Sequence, residues 1–365
     1  MRIGIIGAGQ LGQMLGMAAR ELDYECRFLD PAENPPAATT GKVIGAAFDD
    51  PAALRELAEF ADVLTYEFEN VPVDALSAVE QRVTIYPPPD ALRFAQDRLV
   101  EKTLFETLDI PLPGFCAIDN RNDLDIAATD LGLPMVIKTR RFGYDGKGQK
   151  LVRTTDELDD AWQFFQGRDA IAEAWVKFDF EVSIIGARNP DGETVVWPLT
   201  MNEHVDGILH TSRAPLDNPA LAAIAETYVV RLLEHLNYVG VIALELFVVG
   251  NRLLANEFAP RVHNSGHWTI EGSETSQFLN HLLTITGRAP RSTAARGHAG
   301  MLNLIGRIPA GLRQISGHDC VLHDYGKVPR PGRKLGHLTV ISPSGGERDA
   351  RLAEFCKSVT QLTPL

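Results

Sequence analysis

The sequence predicts an α/β protein with an N-terminal doubly wound parallel sheet, followed by a larger α+β region and a small β-rich C-terminal segment. Three observations lead there. Short apolar runs alternate with amphipathic stretches over residues 1–90, the pattern of a parallel sheet with crossover helices. From about residue 110, hairpin and helix patterns are mixed. After Arg288 the charge balance reverses: residues 287–365 hold 12 Lys/Arg against 5 Asp/Glu, whereas residues 1–100 hold 8 against 16.

Arg2–Ile6 is an apolar run that enters Gly7-Ala8-Gly9-Gln10-Leu11-Gly12, and a helical pattern follows to about residue 21. Residues 26–29, 43–47 and 62–66 read as the next strands. Asp50 precedes Pro51, a favourable cap and first helical position. Residues 74–81 suggest a short helix. Prolines 87–89 break the chain, and Asp90 is expected to cap a helix running to about Thr107. Helices are expected at 123–131 and 155–165, and strands at 135–138, 170–176, 181–185 and 195–199. Residues 220–236 form a long amphipathic pattern. Residues 239–249 and 253–259 read as a hairpin around Gly250-Asn251. A helix over 273–286 closes the region, and the tail carries short strands such as 335–341.

Composition narrows the function. The 365 residues suffice for two or three domains. The net charge of −13 argues against a general nucleic-acid binder. Four well-separated cysteines, with no CxxC, suit a reducing cytoplasm. No run of 18 apolar residues predicts a membrane span. The opening segment is only superficially like a signal peptide, because Gln10 and Gln13 interrupt it.

Five motifs carry chemistry. Gly7, Gly9 and Gly12, with Asp30 downstream, satisfy a dinucleotide fingerprint; the same glycines serve other phosphate-binding turns or plain strand–helix packing. Lys138 ends an apolar strand and precedes Gly143-Tyr144-Asp145-Gly146-Lys147-Gly148-Gln149. A strand-end lysine before a glycine-rich hairpin suits a triphosphate, though its order is not that of a Walker loop. Glu245 and Glu257 sit inside apolar strand patterns, where desolvation is costly unless compensated. They suit a hard divalent cation shared with nucleotide phosphates, or else salt-bridged acids. Arg261, His263 and Asn264 follow directly. Arg330, Arg333 and Lys334 surround a Pro-Gly turn and suit a phosphate monoester.

A shared metal also demands a register. A two-residue turn at Gly250-Asn251 pairs Glu245 with Asn256 and turns Glu257 away. A three-residue loop ending at Arg252, or a bulge of equal effect, sets Glu245 opposite Glu257. The longer loop or such a bulge is expected.

In this order, the lysine, glycine loop and paired carboxylates resemble the ATP-grasp superfamily. Gly-x-Gly-Gln-Leu-Gly at 7–12, Thr-Tyr-Glu-Phe-Glu-Asn-Val at 65–71, the 143–149 loop, Asn-Glu-Phe-Ala-Pro-Arg-Val-His-Asn-Ser-Gly-His-Trp at 256–268 and Arg-Pro-Gly-Arg-Lys-Leu-Gly-His at 330–337 narrow it to the carboxyaminoimidazole ribonucleotide synthase family. The resemblance implies an ATP-grasp fold behind a Rossmann-like pre-ATP-grasp domain. It divides the chain into 1–97, 98–288 with a mobile lid near 138–177, and 289–365. It implies a cytoplasmic homodimeric ligase that uses ATP, Mg2+ and bicarbonate to N-carboxylate aminoimidazole ribonucleotide through carboxyphosphate. The product would be handed to a downstream mutase, with no nucleic-acid or membrane partner.

The same resemblance assigns residues. Arg98, Lys138 and Gly143, Tyr144, Asp145, Gly146, Lys147, Gly148 and Gln149 would hold ATP phosphates. Glu173, Ala174, Trp175 and Val176 would form the adenine hinge, Glu181 would hold the ribose hydroxyls, and His204, Asn256 and Glu257 would complete the ATP site. Glu245 and Glu257 would bind magnesium. Glu67 or Glu69, Tyr144, Asp145, Lys147, Arg261, His263, Asn264, Arg333 and Lys334 would form the ribonucleotide site, with Arg261, His263 and Lys138 catalytic. The N-terminal glycine loop would then belong to the ribonucleotide side. Ala259 departs from the superfamily, which often has Asn there. Two alternatives stay open: another ATP-grasp carboxylate–amine ligase, and an NAD(P)-dependent oxidoreductase built on Gly7–Gly12 and Asp30.

Overall fold

The computed structural model describes residues 1–143, 148–165, 168–315 and 317–360. The N-terminal sheet is parallel throughout, in the order Lys42–Ile44, Glu25–Leu29, Arg2–Ile6, Val63–Tyr66, Thr84–Ile85. Strand order reverses beside Arg2–Ile6, so the glycine turn after it opens at the switch point. Asp50 caps the helix Pro51–Phe60 as expected, accepting from the Ala52 and Ala53 N–H groups. The strand expected at 43–47 ends at Ile44, and the helix expected at 74–81 is only Val73–Ser77.

The helix expected from Asp90 to Thr107 is two helices, Pro89–Ala95 and Arg98–Thr107. Asp90 caps neither. Asp97 intervenes, accepts from the Leu99 N–H at 3.0 Å, and takes two bonds from Arg140 at 3.1 and 2.9 Å. This break aims the first turn of the second helix at the centre of the molecule. The helix expected over 273–286 is shorter, Gln277–Ile285, capped by Ser276, and a separate turn of helix, Thr269–Gly272, precedes it.

A four-stranded antiparallel sheet runs Phe115–Ile118, Ala170–Ala174, Met135–Thr139, Gln149–Val152. It packs on its own core, which includes Leu124, Ile137, Leu158 and Phe165. The larger sheet has nine strands. The basic tail does not form a separate sheet. Its strands His298–Ile305, Lys334–Ser342 and Cys320–Asp324 extend the central one, joined where Ile208–Ala214 pairs Thr211 with Leu302. A helix that sequence reasoning missed, Gly345–Thr360, covers this end through Leu352.

The N-terminal unit is fused to the centre by a shared core. Leu11, Met14 and Leu15 of the helix Gln10–Arg20 pack with Phe278, Leu282 and Leu283. Each such buried side chain contributes about 1.5–3 kcal/mol. His281 pins the seam. Its Nδ1 accepts from the Val241 N–H at 3.1 Å, so the proton sits on Nε2 and is donated to Thr65 Oγ1 at 2.8 Å. Among the described residues, no helix is long and apolar enough to cross a membrane.

Candidate active site

Two adjoining cavities lie against the nine-stranded sheet, the first between it and the four-stranded sheet and the second between it and the N-terminal unit. The first is lined by Arg98, Lys138, Gly148, Gln149, Glu173–Val176, Glu181, His204, Asn256 and Glu257. The second adds Gln10, Glu69, Gly143 and Arg261. Arg98, Glu245, Glu257, His263, Asn264 and Lys334 line both. Thus residues predicted from four of the five motifs converge, while Gly7, Gly9, Gly12 and Asp30 line neither cavity. Tyr144, Asp145, Gly146 and Lys147 lie outside the described residues.

The first cavity has an apolar end and a charged end. Phe178 and Phe247 stack at 4.8 Å beside Trp175, which is half exposed. Neither phenylalanine was predicted. Next to them His204 Nδ1 and Glu181 Oε2 are 2.7 Å apart. At the charged end, Lys138 Nζ donates to Glu173 Oε2 at 3.0 Å. Burial alone would raise the Glu173 carboxyl, but Lys138 and Lys102 bring it down to about 2. Its carboxylate is therefore committed to two lysines. Both contacts fall on Oε2, and the buried Oε1 has no hydrogen-bond partner.

Glu245 and Glu257 are cross-strand partners. The turn itself is the two-residue one: Val249 pairs with Arg252, and Leu246 with Ala255. The longer loop does not occur. A bulge at Asn256 then advances the strand by one residue and brings Glu257 opposite Glu245. Arg98 Nη1 donates to Glu257 Oε2 at 2.9 Å. Burial raises the Glu245 carboxyl and the Glu257 charge raises it further. Glu257 stays well below the usual range, because Arg98 outweighs its burial. Two carboxylates held this close attract a cation, and oxygen ligands of this kind suit magnesium. Among the described residues, no group of three or more His, Cys, Asp or Glu could hold a metal alone. Further ligands would be other oxygens, from phosphate, water or amide groups.

His263 borders this pair, with Nε2 3.5 Å from Glu245 Oε1. Its Nδ1 accepts from the Ser265 N–H at 3.3 Å, which leaves the proton on Nε2. A buried chain backs this arrangement: Asn202 Nδ2 donates to Ser183 Oγ at 2.9 Å, and Ser183 Oγ to Ser265 Oγ at 2.7 Å. Burial and the nearby Arg261 hold the His263 pKa well below its ordinary value, so the ring is neutral. Arg261 Nη2 donates to Glu69 Oε2 at 2.7 Å.

The N-terminal glycine turn is occupied by its own protein. Glu67 Oε1 accepts the Gly9 N–H at 2.6 Å, and Asp30 Oδ2 accepts the Ala8 N–H at 2.8 Å. A Cβ on Gly7, whose φ is +100°, would lie 2.7 Å from Glu67 Cγ. A pyrophosphate would meet that carboxylate instead of free amides. The nicotinamide alternative loses its binding groups here. Glu67 turns into the glycine loop while Glu69 lines the second cavity. Arg333 Nη1 donates to the Val328 carbonyl at 3.1 Å, so Lys334 rather than Arg333 reaches the cavities.

Sequence reasoning missed Glu101, which lines the second cavity, Lys102, which pairs with Glu173 behind the first, and Lys327, which donates to Gln10 of the second cavity's wall. Glu101 and Lys102 stand three and four residues after Arg98 on one helix. That spacing shares a face and was the available signal.

Residues 1–96 match the ribonucleotide synthetase preATP-grasp domain, 103–278 the ATP-grasp domain, and 299–351 the phosphoribosylaminoimidazole carboxylase C-terminal domain. The N5-carboxyaminoimidazole ribonucleotide synthase of Pseudomonas aeruginosa is 47% identical, covering 97% of this chain and 98% of the relative. The chain belongs to the N5-carboxyaminoimidazole ribonucleotide synthase family. It is an ATP-dependent ligase of de novo purine synthesis that carboxylates aminoimidazole ribonucleotide. The crystal structure of the synthetase from Thermus thermophilus is similar at a TM-score of 0.94, with 46% identity over 100% of this chain and 99% of that one. The Aspergillus clavatus synthase, in complex with ADP and 5-aminoimidazole ribonucleotide, gives 0.91 with 29% identity over 99% of each chain.

Proposed function

We propose that the first cavity holds ATP, the second holds aminoimidazole ribonucleotide with bicarbonate, and phosphoryl transfer occurs at the wall they share. One observation carries this reading: Glu245, Glu257 and Arg98 line both cavities. The apolar end with Trp175, Phe178 and Phe247 receives the base, and Glu181 with His204 the ribose. Lys138 and Arg98 face the phosphates, and residues 143–149, including Tyr144, Asp145 and Lys147, close over them as part of a lid at 138–177. The working units are 1–97, 98–288 and 289–365.

Glu245 and Glu257 fit Mg2+, which would neutralise charge on the transferring phosphoryl group. A bicarbonate oxygen attacks the γ-phosphorus and ADP leaves. The exocyclic amine of the ribonucleotide then takes the carbonyl carbon of carboxyphosphate, expels phosphate and loses a proton. Arg261 supplies a fixed positive charge on the acceptor side, and neutral His263 donates from Nε2. The closed lid excludes water that would hydrolyse carboxyphosphate. Lys334, with Lys327 and Arg330 near it, neutralises the 5′-phosphate. The four free cysteines suit work in a reducing cytoplasm, as a homodimer that passes its product to a mutase.

The test measures ADP release with and without the ribonucleotide and bicarbonate, and follows 13C-bicarbonate into product. Release should depend on both, with label in the carbamate. ADP release that ignores the ribonucleotide, without labelled product, overturns the reading.

A further inference from the structure

Lys102 is a fully buried lysine outside both cavity walls. It stands on the helix Arg98–Thr107 and touches both sheets. On one side its Nζ lies 3.3 Å from Glu173 Oε2, on the strand Ala170–Ala174 of the four-stranded sheet. On the other it donates to the Asn256 carbonyl at 2.6 Å, on the strand Arg252–Ala259 of the nine-stranded sheet. We propose that Lys102 is a positioning residue of the phosphoryl-transfer site: it frees Lys138 for phosphate by holding Glu173, and it holds the bulge that sets Glu257 opposite Glu245. The proposal rests on the reading of Lys138 and Glu257 given above.

The two contacts act differently. Glu173 is buried, and a buried carboxylate left without a partner is strongly unfavourable. Were Lys138 its only partner, turning Lys138 toward a phosphate would strand that charge. Lys102 stays with the same oxygen, so Lys138 can leave.

The second contact concerns register. A bulge takes its residue out of the ladder and leaves backbone groups to be satisfied elsewhere. Lys102 satisfies the Asn256 carbonyl. The neighbouring Glu101 accepts the Phe258 N–H at 2.7 Å, and Arg98 holds the Glu257 side chain between them. One helix face thus grips three successive residues, 256–258. Without the bulge, the two-residue turn would set Asn256 opposite Glu245.

The test uses the full chain and titration calorimetry with ADP, with and without MgCl2. In Lys102→Met, magnesium-free ADP affinity should fall by about tenfold or more, the size of a lost charge-assisted contact. The enhancement of ADP affinity by magnesium should shrink to that of Glu257→Gln. Affinity for the ribonucleotide should stay within about twofold, which a general loosening of the fold would not allow. ADP affinity and magnesium enhancement both within about twofold of the parent overturn the proposal. If Glu257→Gln itself keeps the full enhancement, the metal reading fails instead. Lys102→Met is then decided by magnesium-free ADP affinity alone. Should Lys102→Met not fold, the double variant Lys102→Met/Glu173→Met removes both buried charges, a change often tolerated. Parent-like magnesium enhancement in it overturns the proposal, and a lost enhancement upholds it.

Discussion

The glycine turn at residues 7–12 and the cleft around Glu245 and Glu257 both look like phosphate sites in the sequence, yet they differ in how their polar groups are satisfied. In the turn, the Gly9 and Ala8 N–H groups are already bonded to Glu67 and Asp30. In the cleft, charge is concentrated: Glu245 and Glu257 repel each other, and Lys138 and Lys102 share one carboxylate. A site that has satisfied itself is architecture. A site that holds like charges together needs something from outside. Changes in the cleft should therefore alter chemistry and spare the fold, whereas changes in the turn should do the reverse.

The largest effect should follow Glu257→Gln. It removes a charge but almost no volume, and Arg98 keeps a hydrogen-bond acceptor. Magnesium-dependent ADP release should fall by about a hundredfold or more, since metal-borne charge stabilisation is worth several kcal/mol. Circular dichroism should be unchanged. A collapsed fold would make Glu257 structural and erase the contrast with the turn.

The cleft also shows what the sequence could and could not reveal. The partnership of Glu245 and Glu257 follows from two acids in apolar strands, but the device that creates it does not. The turn is the short one, and the bulge at Asn256 depends on Lys102 and Glu101, roughly 150 residues away in the chain. The break at Asp97 was hidden for a similar reason. Asp90 and Asp97 are equally good caps locally, and Arg140 favours the second. The C-terminal strands were readable as strands, whereas their place in the central sheet rests on the pairing of Thr211 with Leu302. No local pattern specifies that register. In the turn, the glycines were legible, but the carboxylate that fills them comes from the next strand but two.

Lys334→Ala should come second. Lys334 lines both cavities at the acceptor side. Losing one charge-assisted contact costs about 1.5–3 kcal/mol, so KM for the ribonucleotide should rise about ten- to hundredfold. KM for ATP should barely move. An effect confined to ATP would shift this residue to the nucleotide side of the shared wall.

Gly7→Ala probes the other region. The φ of +100° and a Cβ 2.7 Å from Glu67 Cγ make any side chain strained there. The cost should be about 1–3 kcal/mol of stability, read as a lower denaturant midpoint. KM for ATP should stay within about twofold. A large change in ATP use with parent-like stability would show that the turn is a nucleotide site after all.

The smallest effect lies where the two regions meet. Lys327 hydrogen-bonds the Gln10 side chain, at the start of the helix after the glycine turn. Burial, helped by the nearby Arg333, lowers its pKa to about 8 against the pull of Glu67. Cations crowded in this way await an anion, and a phosphate dianion would raise the lysine pKa again. Below pH 7 Lys327 is charged in the free protein. As pH climbs through about 8 the proton is lost, and the ribonucleotide phosphate loses a partner. Between pH 7 and 9 the charged fraction falls from about nine-tenths to about one-tenth. KM for the ribonucleotide should therefore rise several-fold, up to about ninefold, over that range. In Lys327→Met it should start higher and stay flat. A flat profile in the parent, or the same slope in both proteins, would place Lys327 with the self-satisfied turn and not with the substrate.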